Sequence, residues 1–135
     1  METVLTLVLP AGLSHLPAFI GAVAEAAENA GVPPRTRLEI ELVLEEALVN
    51  IMSYAYEGTE GDIQVVCGKE KGAFVIEITD SGKDFDMTSL PAPDLTIGIE
   101  ERKIGGLGVC FIKKLAGRAA YRRVDGKNVF SMTFV

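Results

Sequence analysis

Glu46 and Asn50 stand four residues apart in the run LEEALVNIMSYAY, residues 44–56. On a helix, that spacing puts a carboxylate and a carboxamide on neighbouring turns of one face. The face borders an apolar stripe formed by Ile40, Leu44, Ala47, Ile51 and Ala55. Polar groups at the border of a core are costly unless they meet partners. Two arrangements satisfy that condition. One is an interior Asn held by hydrogen bonds, with a Glu that reaches out to solvent. The other is a hard-metal site, because amide and water oxygens suit Mg²⁺, which keeps most of its waters and completes its shell with substrate phosphates.

A second chemical signal is KIGGLGVCFIKKLAG, residues 103–117, where Gly105, Gly106 and Gly108 precede a helix-like run of Val109, Cys110, Ile112 and Leu115. A helix N-terminus carries free N–H groups and the positive end of the helix dipole. Glycines let such a backbone approach a ligand closely, and phosphate is the natural guest. A tight turn entering a helix explains the same residues without a ligand. The stretch from 81 to 106 is irregular, with Gly82 near its start and Pro91, Pro93 and Gly98 inside it. Loops of that length in compact domains usually serve as lids or binding loops. Residues 87–104 are expected to be a mobile lid.

Regular elements must position these groups. TVLTLVLP alternates and predicts a strand over 3–9 that ends at Pro10. SHLPAFIGAVAEAAENAG predicts a helix with Ser14 as its cap and Asn29 and Gly31 as its stop. A long helix is expected over 34–57, closed by Gly58. Its core stripe is joined by a second apolar face of Leu42, Val49 and Met52, which places it between the sheet and another helix. GDIQVVCGKE and GAFVIEITD predict a hairpin at Lys71-Gly72, and RAAYRRVD and NVFSMTFV a second at Asp125-Gly126. A short helix is expected over 107–116. The order β-α-α-β-β-loop-α-β-β suits an α/β (α+β) two-layer sandwich, with helices covering one face of a mixed, mainly antiparallel sheet.

At 135 residues with 48% apolar content, residues 1–135 are expected to form one domain with a sizeable core. A formal net charge of −6 argues against nucleic acid or an anionic membrane as the main partner. No apolar run reaches about 18 residues, and METVLTLVLP lacks the basic start and cleavage site of a secretory signal. Cys67 and Cys110 lie in apolar segments and are expected to be reduced core thiols of a cytoplasmic protein. His15 is the only histidine, and its place at a helix start suits a surface or cap role.

LEEALVNIMSYAY (44–56), DSGKDFD (80–86) and GGLGVCFIKKLA (105–116) resemble, in order and spacing, the three ATP-site boxes of the GHKL superfamily. That superfamily includes gyrase, Hsp90, histidine kinases and MutL, and its fold is the Bergerat ATP-binding fold. Within it the chain is similar to anti-sigma-factor serine/threonine kinases of the RsbW/SpoIIAB type over nearly its whole length. The resemblance implies ATP and Mg²⁺ as cofactors. It implies that Asn50 coordinates Mg²⁺ and that Glu46 positions or deprotonates the attacking hydroxyl. Asp80 would accept a hydrogen bond from the adenine amino group, and Gly82 would leave space for the adenine. Gly105, Gly106, Leu107 and Gly108 would lie at the phosphates. The implied partners are a STAS-domain anti-anti-sigma factor carrying the acceptor serine, a sigma factor, and a second copy of the chain. Asp84 stands where the family often has glycine, and the C-terminal DGKNVFSMTFV lacks the Gly-Thr pair of several relatives. Two alternatives stay open: a non-catalytic ATP-binding switch that docks a partner, and an α/β interaction domain without nucleotide.

Overall fold

The computed structural model describes residues 1–89, 112 and 115–135. Five strands form one sheet: β1 (Glu2–Pro10), β2 (Asp62–Glu70), β3 (Ala73–Asp80), β4 (Arg118–Val124) and β5 (Lys127–Phe134), in the order β1-β2-β3-β5-β4. All four pairings are antiparallel, so the mixed character expected of the sheet is absent among the described residues. Two helices, α1 (Leu16–Asn29) and α2 (Pro34–Asn50), make the second layer.

Both predicted hairpins form. Lys71 and Gly72 have φ of 50° and 82°, and Asp125 and Gly126 have 50° and 77°. Two successive left-handed residues match the right-handed twist of the flanking strands, which is why such pairs close two-residue hairpins.

Period-two alternation sends one row of each strand toward the helices. Leu5, Leu7 and Leu9 on β1 face that way, while Val4 and Val8 point outward and are exposed. Ile63, Val65 and Cys67 on β2, Phe74, Ile76 and Ile78 on β3, and Phe130, Met132 and Phe134 on β5 are all buried. Phe19, Val23, Ala26 and Ala27 of α1 join them in one core. Burial pushes the Cys67 thiol up to about 12, as expected of an inert core thiol.

Two details of the helices differ from expectation. Ser14 does not cap α1. It lies within a 3-10 turn, Leu13–His15, and the helix starts after His15 with a proline in its first turn. Pro17 has no N–H to be satisfied there, which suits that position. On the second apolar face, Val49 and Met52 are half-buried, with Met52 packed against the core, and only Leu42 is exposed. Ile40, Val43, Leu44, Ala47, Leu48 and Asn50 are the buried residues, and at about 100° per residue they fill a single arc of about 160°. Leu42 lies on the opposite side at 41% exposure. α2 itself therefore fully buries one wide stripe, and of the predicted outer face only Leu42 is left exposed. α2 also gives way to a π-helical turn at Ile51–Ala55, so the segment predicted as one α-helix changes geometry after Asn50.

Leu44→Ala should destabilise the fold by about 2–5 kcal/mol through loss of buried area and the cavity left behind. Leu42→Ala should stay within about 0.5 kcal/mol. Denaturant unfolding of both variants checks which face of α2 packs.

Candidate functional site

α2 delivers Glu46 and Asn50 to one side of the helix, at and just beyond the edge of the buried arc. Asn50 is 0% exposed, and neither Oδ1 nor Nδ2 has a hydrogen-bond partner among the described residues. The interior-Asn arrangement needs such partners, and the described residues do not supply them. Glu46 is half-buried. Burial pushes its carboxyl above the usual range, and the neighbouring Glu45 charge adds to the rise.

The π turn connects this helix to the loop that follows β3. Tyr56 closes the turn with its N–H on Ile51 O at 3.2 Å. The Tyr56 hydroxyl donates to Asp62 O at 2.5 Å and accepts from Ser81 N at 2.9 Å. Ala55 O accepts from Lys83 N at 2.9 Å. This close approach explains Gly82 sterically, because a Cβ there would meet Ala55 O at 2.5 Å. Farther along, Phe85 packs against Tyr54 with ring centroids 5.2 Å apart.

Asp80 ends β3 on the helix-facing side and is 3% exposed. Its Oδ1 accepts from Gly82 N and from Asn128 Nδ2, both at 2.9 Å. Burial still raises its carboxyl above the ordinary value. The bonds from Asn128 and Gly82 and the nearby Arg123 guanidinium only partly oppose that rise. The register places Asp80 beside Asn128 of β5, and Asn128 beside Arg123 of β4. A polar row thus crosses three strands at one end of an otherwise apolar face.

Four predicted site residues, Glu46, Asn50, Asp80 and Gly82, are placed in two neighbouring groups joined through the π turn. Gly105, Gly106, Leu107 and Gly108 lie outside the described residues, as do residues 90–104 of the expected lid, Cys110 and most of the predicted 107–116 helix. Sequence reasoning passed over Asn128. Its signal was a lone amide at the head of the inward row Asn128, Phe130, Met132, Phe134. Tyr56 and Arg123 were also passed over, and nothing in their spacing set them apart.

The donor set suits a nucleotide with its metal. Asn50 Oδ1 is a hard oxygen donor with no competing bond among the described residues, and Mg²⁺ needs few protein ligands when phosphates complete its shell. Asp80 presents an acceptor in a dry setting, as recognition of an amino group requires. A two-layer sandwich with these groups at one end of the sheet is that of a nucleotide-binding ATPase-type domain. Residues 9–134 match the family described as "Histidine kinase-like ATPase domain", and the chain belongs to that family, whose nucleotide is ATP.

Its similarity to particular proteins falls among serine kinases. The serine/threonine-protein kinase BtrW of Bordetella bronchiseptica is 28% identical over 100 residues, covering 73% of this chain and 70% of that protein. A serine-protein kinase RsbW of Bacillus cereus is 26% identical over 116 residues, covering 78% and 72%. The fold is also that of a chain in the crystal structure of the SiaB-SiaC complex from Pseudomonas aeruginosa. That likeness has a TM-score of 0.61 at 18% identity, over 98% of this chain and 90% of that one. No helix among the described residues is long and apolar enough to cross a membrane.

Asp80→Asn should raise the melting temperature at neutral pH by a few degrees while removing the acceptor charge. The sign follows from the raised carboxyl. Above its folded-state pKa, Asp80 is ionised in both states and the folded state carries the burial penalty. As pH falls toward the ordinary carboxylate value of about 3.9, the folded state takes up the proton first and the penalty disappears. The advantage of Asp80→Asn should therefore shrink on acidification, as thermal melts across that window can show.

Proposed function

We propose that the chain is an ATP-dependent serine/threonine protein kinase that acts as an anti-sigma factor. It phosphorylates a STAS-domain anti-anti-sigma protein and binds a sigma factor, as a cytoplasmic regulator of transcription. The observation that carries this reading is the buried, unpartnered Asn50 carboxamide one turn from a Glu46 whose carboxyl is pushed upward. The family match and the serine-kinase names of the relatives support it.

In this reading Asn50 Oδ1 would hold Mg²⁺, which would supply charge neutralisation to the ATP phosphates. Glu46 lies beside the same phosphates. It orients the acceptor hydroxyl and takes its proton, and a raised carboxyl is better matched to that task near neutral pH. Phosphoryl transfer needs positioning and charge stabilisation more than covalent chemistry, so a metal ligand and one carboxylate suffice on this helix. Asp80 accepts from the adenine amino group through the oxygen that Gly82 and Asn128 leave open. Gly105, Gly106, Leu107 and Gly108 supply N–H groups to the phosphates. A serine of the partner protein is the acceptor.

Glu46→Gln keeps the size of the side chain and removes its charge. It should leave Mg-ATP affinity within a few-fold of the parent while slowing transfer to a STAS-domain substrate by roughly 10²–10⁴-fold. Asn50→Ala should weaken Mg-ATP binding itself. Calorimetry and a phosphotransfer assay separate the two. Transfer at the parent rate by Glu46→Gln would rule out the catalytic role.

The chain is also proposed to form a homodimer through β1. That strand lies at one edge of the sheet with Val4 at 42% and Val8 at 50% exposure, and an unpaired edge is a template for another chain. Light scattering should report twice the 14.4 kDa chain mass at micromolar concentration. A monomer mass would contradict the dimer.

A further inference from the structure

The polar row at the end of the sheet contains a residue with no spare hydrogen-bonding capacity. Asn128 is 2% exposed. Its Nδ2 donates to Asp80 Oδ1 at 2.9 Å and to Lys83 O at 2.7 Å. Its Oδ1 accepts from the Tyr121 hydroxyl at 2.6 Å, from Arg123 Nη1 at 3.0 Å and from Phe85 N at 3.2 Å. Both amide donors and both lone pairs of the oxygen are in use. The surroundings also fix which way the amide points. A flipped amide would set its oxygen against a carboxylate and a carbonyl, and its NH₂ against three donors.

These five bonds join three pieces of chain. Asp80 ends β3, Lys83 and Phe85 belong to the loop after it, and Tyr121 and Arg123 sit on β4. Arg123 Nη1 reinforces the join by donating to Gly82 O at 2.9 Å. Asp80 Oδ1 is held by Gly82 N as well as by Asn128, and its Oδ2 receives no bond from the described residues.

We propose that Asn128 is a positioning residue for base recognition. It locks Asp80 in the one rotamer that presents Oδ2 to a nucleobase amino group, and it ties the root of the 81–89 loop to the same geometry. The inference rests on the reading of Asp80 as the adenine-amino acceptor. Asn128 touches no ligand in this scheme, because it has no free donor or acceptor. Its effect passes through Asp80: a freely turning carboxylate loses directional preference for an amino group, whereas a clamped one keeps it.

The test compares Mg-ATP with the Mg complex of purine riboside triphosphate, which lacks only the 6-amino group. Binding is measured by calorimetry on the whole chain. The parent protein should prefer ATP by about tenfold or more, the scale of one hydrogen bond to a charged acceptor. Asp80→Ala should abolish the preference. Asn128→Asp keeps the shape and the acceptor for Tyr121, Arg123 and Phe85, but replaces the Nδ2 donors with a carboxylate oxygen that faces Asp80 Oδ1 and Lys83 O, whereas Asn128→Ala removes the donors without adding a charge. Asn128→Asp should cut the preference at least threefold, and Asn128→Ala should do the same. Arg122→Ala, on the outer face where it pairs with Glu77, should leave it unchanged. Equal weakening of both nucleotides in Asn128→Asp, with the ATP preference intact, would reduce Asn128 to a structural residue and overturn the proposal alone. A parent protein that binds neither nucleotide, or an Asp80→Ala protein that keeps the preference, would instead overturn the reading of Asp80 and the proposal with it.

Discussion

Water is excluded from one end of the layer between α2 and the sheet, and polar groups sit there nonetheless. A buried amide without a partner costs about 1–3 kcal/mol, a large share of the margin by which a domain of this size stays folded. The chain meets that constraint in two opposite ways. Asn128 fills its whole hydrogen-bonding capacity. Asn50, buried just as deeply, has no hydrogen-bond partner for either polar atom among the described residues. The fold could have held an apolar residue at position 50 at lower cost. Leaving its amide open makes sense for a group whose partner arrives from outside the chain.

The change of helical geometry after Asn50 follows from the same constraint. An α-helical continuation would commit the Ala55 carbonyl to its own ladder or to solvent. The π turn at Ile51–Ala55 instead turns that carbonyl to the Lys83 N–H, and the Tyr56 hydroxyl bridges Asp62 O and Ser81 N. π turns are rare and cluster at functional sites because they re-aim backbone groups in this way. Gly82 is the steric condition for the contact. Asn50 on α2 and Asp80 on β3 come from different layers. Their separation is set by main-chain bonds, which vary less than side-chain rotamers do.

The legible parts of this molecule were those governed by local chemistry. The hairpins at Lys71-Gly72 and Asp125-Gly126 could be read because left-handed pairs are a property of two residues. Alternation in TVLTLVLP marked β1 as a strand, within a residue of its observed ends at Glu2 and Pro10. Leu42 stays exposed because apolar character does not say which neighbour a side chain meets, and among the described residues α1 packs on the other side of α2. The π turn left no trace in the sequence, since it arises from a loop 26 residues further on drawing Glu57 to Lys83 and Ala55 to the same backbone. Asn128 was overlooked because a polar residue in a strand usually faces water. Its phase with Phe130, Met132 and Phe134 pointed inward, and the register with Asp80 shows what it meets there.

The two edges of the sheet are built for different roles. β4 carries Arg118, Arg122 and Arg123 along seven residues, and charge of one sign discourages pairing with another strand. β1 is nine residues long, carries one acidic residue at its start, and shows Val4 and Val8 on its outer face. The polar row runs from Asp80 through Asn128 to Arg123, that is, from the middle of the sheet toward the charged edge. The apolar edge lies on the other side, where the same row continues as Ile63 and Leu9. An association through β1 would therefore extend the apolar half of the sheet and leave the polar end uncovered. The strand order that gives β1 an open edge also keeps that edge two strands from Asp80, so an association through β1 need not cover the row from Asp80 to Arg123.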